Sequence, residues 1–356
     1  MAKMGHVAYL VAAFLTGVSL STSAADPAPA VPLPKPLAKV ESVVKVWDQA
    51  KHNAFTGLIR HTDGAWLCTF REGSAHIPGL DGTIRVIASK DGEKWESRAV
   101  LAEKGVDLRD SKICHTPDGR LMLVMGGSYY DGAEPTPDRK RTGMHTRVAF
   151  SSDGGATWTP PAKVEGVPDN VWLWRVTWHK GVGYGTVYGI ARDGKGNREF
   201  AVYRTTDGVK YGDPIDTKVP ASGGEATVRF APDDTMHILF RGEGKTRNAF
   251  VGTSKAPYAD WNWKDAGRAA QGPNFIRLAD GRWVYAGRDF DPKAKTVVGL
   301  MTAESLTPLV TLPSGGDTSY PGLVEAEPNL VWVSYYSSHE GKSAIYLAKV
   351  RIAKGN

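Results

Sequence analysis

Short apolar runs, each about the length of a β-strand, alternate along the chain with turns rich in Gly, Pro and Asp. The turns recur in step. Thr62-Asp63-Gly64, Pro117-Asp118-Gly119, Lys180-Gly181, Pro232-Asp233-Asp234, Asp280-Gly281 and Pro328-Asn329 each separate two such runs, at intervals of about fifty residues. Residues of this kind supply the positive φ that a tight hairpin needs. Six hairpins at this period predict six four-stranded blades, an all-β propeller. A sandwich would show shorter, more even spacing. No long stretch carries apolar residues at helical period, which argues against an α/β barrel.

A second pattern runs in phase with the first. Ser151-Ser152-Asp153-Gly154-Gly155-Ala156-Thr157-Trp158 is a full S-x-D-x-G-x-T-W turn, and Ser89 to Trp95 and Thr205 to Tyr211 are shortened copies. In this Asp-box pattern the Ser and Asp side chains bond backbone N–H groups, Gly takes positive φ, and the aromatic ring packs between strands. The expected role is to staple the fold. Degenerate remnants fall near Thr253, Ser254 and Thr302.

Composition narrows the function classes. The 356 residues include 40 Gly and 22 Pro, consistent with a turn-dense β protein. Two cysteines, Cys68 and Cys114, exclude a disulfide scaffold and a Cys-ligated zinc site. The formal net charge of +6 is spread out with no run of five basic residues, so nucleic acid is not an expected partner, while anionic small substrates are favoured. Residues 1–25 read as a secretory signal: Lys3, an apolar stretch from Val7 to Leu20, then Ser23, Ala24 and Ala25. A Pro-rich linker over 26–39 follows, and the propeller is expected over 40–356. The expectation is an exported, periplasmic or extracellular monomer with no membrane insertion after cleavage.

Asp boxes in phase with six hairpins resemble the sialidase (neuraminidase) superfamily, six-bladed propellers that cleave terminal sugars, over roughly Val40 to the C-terminus. In a propeller the innermost strand of each blade lines the central mouth. Those strands are the segments just before each hairpin, and they are unusually polar or aromatic, as in His52 to Leu58, Leu108 to Lys112 and Trp172 to Val176. Glu225 lies nine positions before Asp234 and Tyr320 nine before Asn329, which predicts equivalent rungs in blades four and six. The resemblance implies a nucleophilic Tyr320 whose proton passes to Glu225. A phenol suits an anomeric carbon bearing a carboxylate, which would repel a carboxylate nucleophile.

The resemblance further implies that Arg241 and Arg288 belong to a carboxylate-binding arginine triad, with Lys295 competing for the place of Arg288. The first triad arginine is missing, because aligning the hairpins puts Ala54 there. Arg71 and Arg109 are the candidates to replace it, unless they are engaged by Glu72 and Asp110. The acid/base is expected on the loop after the second strand of blade one, where His76 and Asp81 are the candidates. Asp110, Trp174 and Arg175 are expected to touch substrate, and His339 is a weaker candidate. No metal-ligand or nucleotide motif occurs, so neither a metal nor a cofactor is expected. The leading expectation is an exo-glycosidase with a retaining Tyr/Glu mechanism releasing a terminal acidic sugar, sialic acid first. The alternatives are a glycan- or protein-binding propeller without catalysis, and a superfamily relative working on another sugar through His chemistry.

Overall fold

The computed structural model describes residues 37–76, 82–132, 139–189 and 200–354, and every regular element within them is a β-strand. The expected leader and most of the expected linker lie outside these residues, as does Asp81. Strand β1 (Ala38–Trp47) begins two residues ahead of the expected start at Val40. Blade one is β2 (His52–Arg60), β3 (Trp66–Gly73), β4 (Thr83–Ser89) and β5 (Glu96–Leu101). Blade two is β6 (Asp107–His115), β7 (Leu121–Tyr130), β8 (Arg141–Ser151) and β9 (Ala162–Lys163). Blade three is β10 (Val171–His179), β11 (Val182–Gly189), β12 (Phe200–Thr205) and β13 (Gly212–Asp216). Blade four is β14 (Gly223–Phe230), β15 (Met236–Gly242), β16 (Asn248–Ser254) and β17 (Asn262–Ala269), and blade five is β18 (Gln271–Arg277), β19 (Trp283–Asp289), β20 (Lys295–Met301) and β21 (Leu306–Thr311). The sixth blade is β22 (Thr318–Glu327), β23 (Leu330–Ser337) and β24 (Ala344–Ile352), with β1 as its outermost strand.

The protein is therefore a six-bladed β-propeller of four-stranded antiparallel blades. Each expected hairpin joins the first two strands of its blade. Positive φ falls where the turn chemistry placed it, at Gly64, Gly119, Lys180 with Gly181, Asp234, Gly281 and Asn329. Strand β1 pairs antiparallel with β24, from Ala38 opposite Ile352 to Trp47 opposite Ile345, so the two ends of the propeller chain close the ring in one sheet. Between the last and first blades the indoles of Trp66 and Trp332 stack at 3.9 Å.

The three Asp-containing turns lie between third and fourth strands and share one bonding scheme. Gly155 N donates to Ser151 Oγ at 2.9 Å, Thr157 N to Asp153 Oδ1 at 2.9 Å, and Trp158 Nε1 to the Gly155 carbonyl at 3.1 Å. Ser89, Asp91, Gly92 and Trp95 repeat it in blade one, and Thr205, Asp207 and Gly208 in blade three. In blade four a remnant survives, with Ser254 Oγ donating to the Asp260 carbonyl at 2.6 Å.

One irregularity recurs in all six innermost strands. The pairing with the second strand slips by one residue between Ala54 and Gly57, Arg109 and Lys112, Leu173 and Val176, Gly223 and Ala226, Gln271 and Asn274, and Ser319 and Gly322. Each is a β-bulge, which re-aims the side chains it carries. The bulged pairs are Phe55–Thr56, Asp110–Ser111, Trp174–Arg175, Gly224–Glu225, Gly272–Pro273 and Tyr320–Pro321. Phe55, Asp110, Gly272 and Tyr320 have positive φ there. Blade six has a further slip beside Ala326, between Glu325 and Glu327. Aligned on the bulges, Tyr320 is the first residue of its pair and Glu225 the second of its own, one rung apart rather than equivalent; the count from the hairpins misses this because five residues (231–235) join β14 to β15 but only two (328–329) join β22 to β23, a difference that Ala326 offsets only in part.

Candidate active site

The bulges of β2, β6, β14 and β22 bring Phe55, Asp110, Glu225 and Tyr320 to the wall of one cavity of about 200 Å³. His76, from the loop after β3, and Trp172, Tyr188 and Arg109 complete most of its lining. A larger groove of about 650 Å³ runs along β12 and β13, the outer strands of blade three, where Asp216 and Lys218 are the only charged lining residues among those described. The chemistry is concentrated at the smaller cavity.

Tyr320 and Glu225 are 95 residues apart in sequence, yet Tyr320 Oη donates to Glu225 Oε1 at 2.7 Å. The other carboxylate oxygen accepts from Arg241 Nη1 at 2.8 Å and from Gly272 N at 3.0 Å. The same Arg241 nitrogen lies 3.2 Å from Tyr320 Oη. Burial alone would raise the Glu225 carboxyl, but the charge and hydrogen bond of Arg241 and the bond from Tyr320 outweigh it and hold the group below its usual range. Burial pushes the Tyr320 phenol well above its ordinary value, and the Glu225 charge adds to that. The resting pair is thus an ionised carboxylate accepting from a neutral phenol. As Oη bonds to an electrophile, its proton has an acceptor already in place.

Asp110 faces the same cavity under the opposite influence. Burial raises its carboxyl and Glu225 adds to this, against the opposing charges of Lys112 and Arg109. Two carboxyl groups on one cavity are therefore pushed apart in acidity. Lys112 is buried behind them, its Nζ 4.4 Å from the Trp174 ring centroid and 5.8 Å from that of Tyr320. Burial lowers its ammonium to about 7, against the pull of Asp110.

Arg288 flanks Tyr320 on the far side, its guanidinium 5.9 Å from the phenol ring, and donates to Gln271 Oε1 at 3.0 Å. Arg241 and Arg288 also line a neighbouring cleft of about 540 Å³ together with Arg247 and Phe290. Lys295, the competing position, donates instead to the Ser314 carbonyl.

The other expected positions divide. Arg71 does not reach the cavity. It is fully buried beside Ala54, with Nε and Nη2 each 2.8 Å from Asp107 Oδ1 and Nη1 donating to the Ala75 carbonyl at 2.7 Å. Its partner is Asp107 of blade two, while Glu72 pairs with Arg85 at 2.7 Å. The blade-one gap at Ala54 is therefore not filled by Arg71. Arg109 does line the cavity, and its Nη2 donates to the His76 carbonyl at 3.0 Å. Trp174 and Arg175 form the bulge of β10 and are buried: Trp174 packs edge-on to Tyr320 at 5.5 Å, and Arg175 is lowered to about 9 by burial and by the charge of Arg229. Trp172, one rung away, is the indole on the cavity, stacked over Tyr188. Alternation along the strand could not reveal this, because the bulge reverses it. His339 bonds Ser337 in the outer turn after β23.

His76 brings in residues that the sequence did not single out. Its Nδ1 lies 2.6 Å from Asp317 Oδ2, which also faces His52 Nε2 at 3.1 Å, while Tyr336 Oη donates to Asp317 Oδ1 at 2.7 Å. Burial favours a neutral Asp317, but the hydrogen bonds from both histidines outweigh it and hold its carboxyl far below the usual range. Burial lowers His52, against its bond to Asp317. One signal was available: Asp317 stands three residues before Tyr320, and His52 opens the innermost strand of blade one. The nearest ligand-type atoms of His52, His76 and Asp317 lie within 4.8 Å of one another, compact enough for a cation. As they stand, both rings aim at one carboxylate oxygen at hydrogen-bond distance, which leaves no space between them for an ion.

No protein-family model matches the chain, and no curated protein matches it. Solved structures do. A protein of unknown function from Dyadobacter fermentans aligns with TM-score 0.77 and 20% identity, over 89% of this chain and 100% of that one. An α-L-arabinanase of Penicillium chrysogenum aligns with TM-score 0.66 and 14% identity, over 87% and 98%. The NanB sialidase of Streptococcus pneumoniae aligns with TM-score 0.63 and 12% identity, over 90% and 71%. The chain thus has the propeller architecture found in arabinanases and in sialidases alike. At these identities the likeness establishes the fold, and it does not single out the sialidases.

Proposed function

We propose that the protein is an exo-acting glycoside hydrolase that releases a terminal acidic sugar with retention, through a covalent Tyr320 intermediate. The observation that carries this is the Tyr320–Glu225 hydrogen bond of 2.7 Å at the cavity wall, with Arg241 bridging both groups. Tyr320 Oη attacks the anomeric carbon as its proton passes to Glu225. The glycosidic C–O bond breaks, and the leaving oxygen takes the Nε2 proton of His76, which enters this step as the imidazolium and lines the same cavity. In the second step neutral His76 takes a proton from water as the water attacks the anomeric carbon, and the departing phenolate recovers its proton from Glu225. Arg241 and Arg288 supply charge for the sugar's anionic group. With Ala54 at the vacated triad position, a uronic or keto acid glycoside is as much in scope as a sialoside. The N-terminal leader adds export to the proposal.

The test is a glycan panel with released sugars identified by mass spectrometry and the anomer assigned by NMR. Tyr320→Phe is expected to lower kcat by at least about 10³-fold without loss of thermal stability. Unchanged turnover in that variant would remove the covalent phenol mechanism.

A second reading rests on Asp110 and Glu225, whose environments push their acidities apart on one cavity. In it, Asp110 is the proton donor and Glu225 the nucleophile or base toward a neutral sugar such as an arabinoside, since an α-L-arabinanase is among the aligned structures. Under this reading Asp110→Asn is the lethal change, Tyr320→Phe is mild, and neutral glycosides outrank acidic ones.

A further inference from the structure

His76 sits on a loop, with its side chain 42% exposed, where a lone histidine would ordinarily sample several rotamers. Here it is held from several sides. Asp317 takes its Nδ1 at 2.6 Å, the Phe55 ring packs edge-on at 5.2 Å, the His52 ring does so at 5.4 Å, and Arg109 holds its carbonyl at 3.0 Å. Asp317 is itself fixed. Tyr336 and His52 occupy its two oxygens, and its backbone N–H donates to Ser338 Oγ at 2.9 Å. Arg288 Nη1 stands 4.0 Å from Oδ1. Phe55 also packs against Tyr320 at 5.1 Å, so one ring sets the spacing of His76 and the phenol.

We propose that Asp317 is a positioning residue: by accepting from His76 Nδ1–H it fixes the tautomer and ring orientation that present a bare Nε2 to the cavity, with His52 and Tyr336 holding Asp317 in place. The inference rests on the reading of His76 as the proton-transfer group, and it adds the group that orients it. A carboxylate that bonds one imidazole nitrogen decides which nitrogen faces substrate, and it stabilises the imidazolium that forms when the other takes a proton. The charged and titratable groups around the ring are Asp317 and His52 on the outer side, Arg109 at its carbonyl, and Asp110 and Glu225 across the cavity. Two histidines on one carboxylate oxygen form a hydrogen-bonded relay.

The test separates positioning from catalysis. Nitrogen-15 NMR of His-labelled protein is expected to show neutral His76 as the Nδ1–H tautomer, shifting to the Nε2–H form in Asp317→Ala. An Nε2–H tautomer in the unmodified protein, or no change in a folded Asp317→Ala variant, overturns the proposal. The first of these needs no variant to fold. Kinetics then test the reading beneath it. Asp317→Ala is expected to lower kcat by about 10²- to 10⁴-fold with little change in KM on a sugar leaving group, and far less on a nitrophenyl leaving group that needs no proton. A shifted tautomer with undiminished kcat on both substrates keeps Asp317 as the residue that orients His76 and sinks His76 as the acid. Equilibrium dialysis with Zn²⁺ is expected to show no stoichiometric binding dependent on Asp317; one equivalent lost in Asp317→Ala makes the cluster a metal site and overturns the relay.

Discussion

A single nitrogen of Arg241 is shared between Glu225 Oε2 and Tyr320 Oη, so this guanidinium fixes the distance across the reactive pair as well as its charge. Lysine carries the charge without the fork. Arg241→Lys is therefore expected to lower kcat/KM by roughly 10- to 100-fold with the fold intact, measured on the substrate the panel identifies. Lys112 has the opposite problem, a charge buried behind the cavity. Its ammonium is lowered from 10.5 to about 7, so between those pH values the unfolded chain holds a proton that the folded chain has released. Stability then rises with pH across that window, by about 1.4 kcal/mol per unit for one proton, and the penalty is fully present below about 7. Urea midpoints from pH 6 to 10 are expected to climb in the native protein and to climb less in Lys112→Met. Parallel curves for the two would refute the burial account.

The six innermost strands owe their function to a repeated defect. A regular strand would point alternate side chains at the neighbouring blade, and only the bulge turns Phe55, Asp110, Glu225 and Tyr320 to the mouth. Gly272 shows how tightly these elements fit. Its φ is +60°, its N–H bonds Glu225, and a Cβ there would stand 2.8 Å from the Tyr320 ring. Gly272→Ala is expected to destabilise by about 1–3 kcal/mol and to impair catalysis beyond that, by displacing the phenol. Thermal melts and kcat on the same preparation check both effects. The hairpins and Asp-containing turns were legible because their chemistry is local: each residue bonds its own turn. The bulges were not, since a slip in pairing leaves no mark in residue type. The placing of Trp174 on the ligand arose there, and the count of equivalent rungs failed because the first hairpins of blades four and six differ in length.

At the scale of the ring, stability depends on closure. Strand β1 completes the last blade, and Trp66 stacks on Trp332 across the seam. Arg71 and Asp107 join blades one and two as a wholly buried ion pair. Leaving one such partner buried alone costs about 3–5 kcal/mol, so Asp107→Asn is expected to lower the urea midpoint sharply, and it also removes the charge that stands 4.0 Å from Arg109 Nη1 at the cavity. Trp332→Ala removes a stacked, buried indole and is expected to cost about 3–5 kcal/mol. A chain starting at residue 48 lacks the closing strand and is expected to be insoluble or to melt far lower than one starting at residue 36, which keeps it. Equal stability of the two truncated chains would mean that β24 tolerates a free edge.

Sequence alone determined the blade number, the strand polarity of each hairpin and the stapling turns, and it singled out Tyr320 and Glu225 as a pair and Arg241 as a nearby arginine, whose bridging of the two only the structure showed. These follow from turn chemistry, from a fixed period, and from a resemblance carried by short motifs. Tertiary structure decided which groups meet. Asp317 reaches His76 from 241 residues away, and Arg71 turns from the cavity to Asp107. The reason is physical: a hydrogen bond depends on a few tenths of an ångström in space, and one bulged residue in a strand moves a side chain by far more than that.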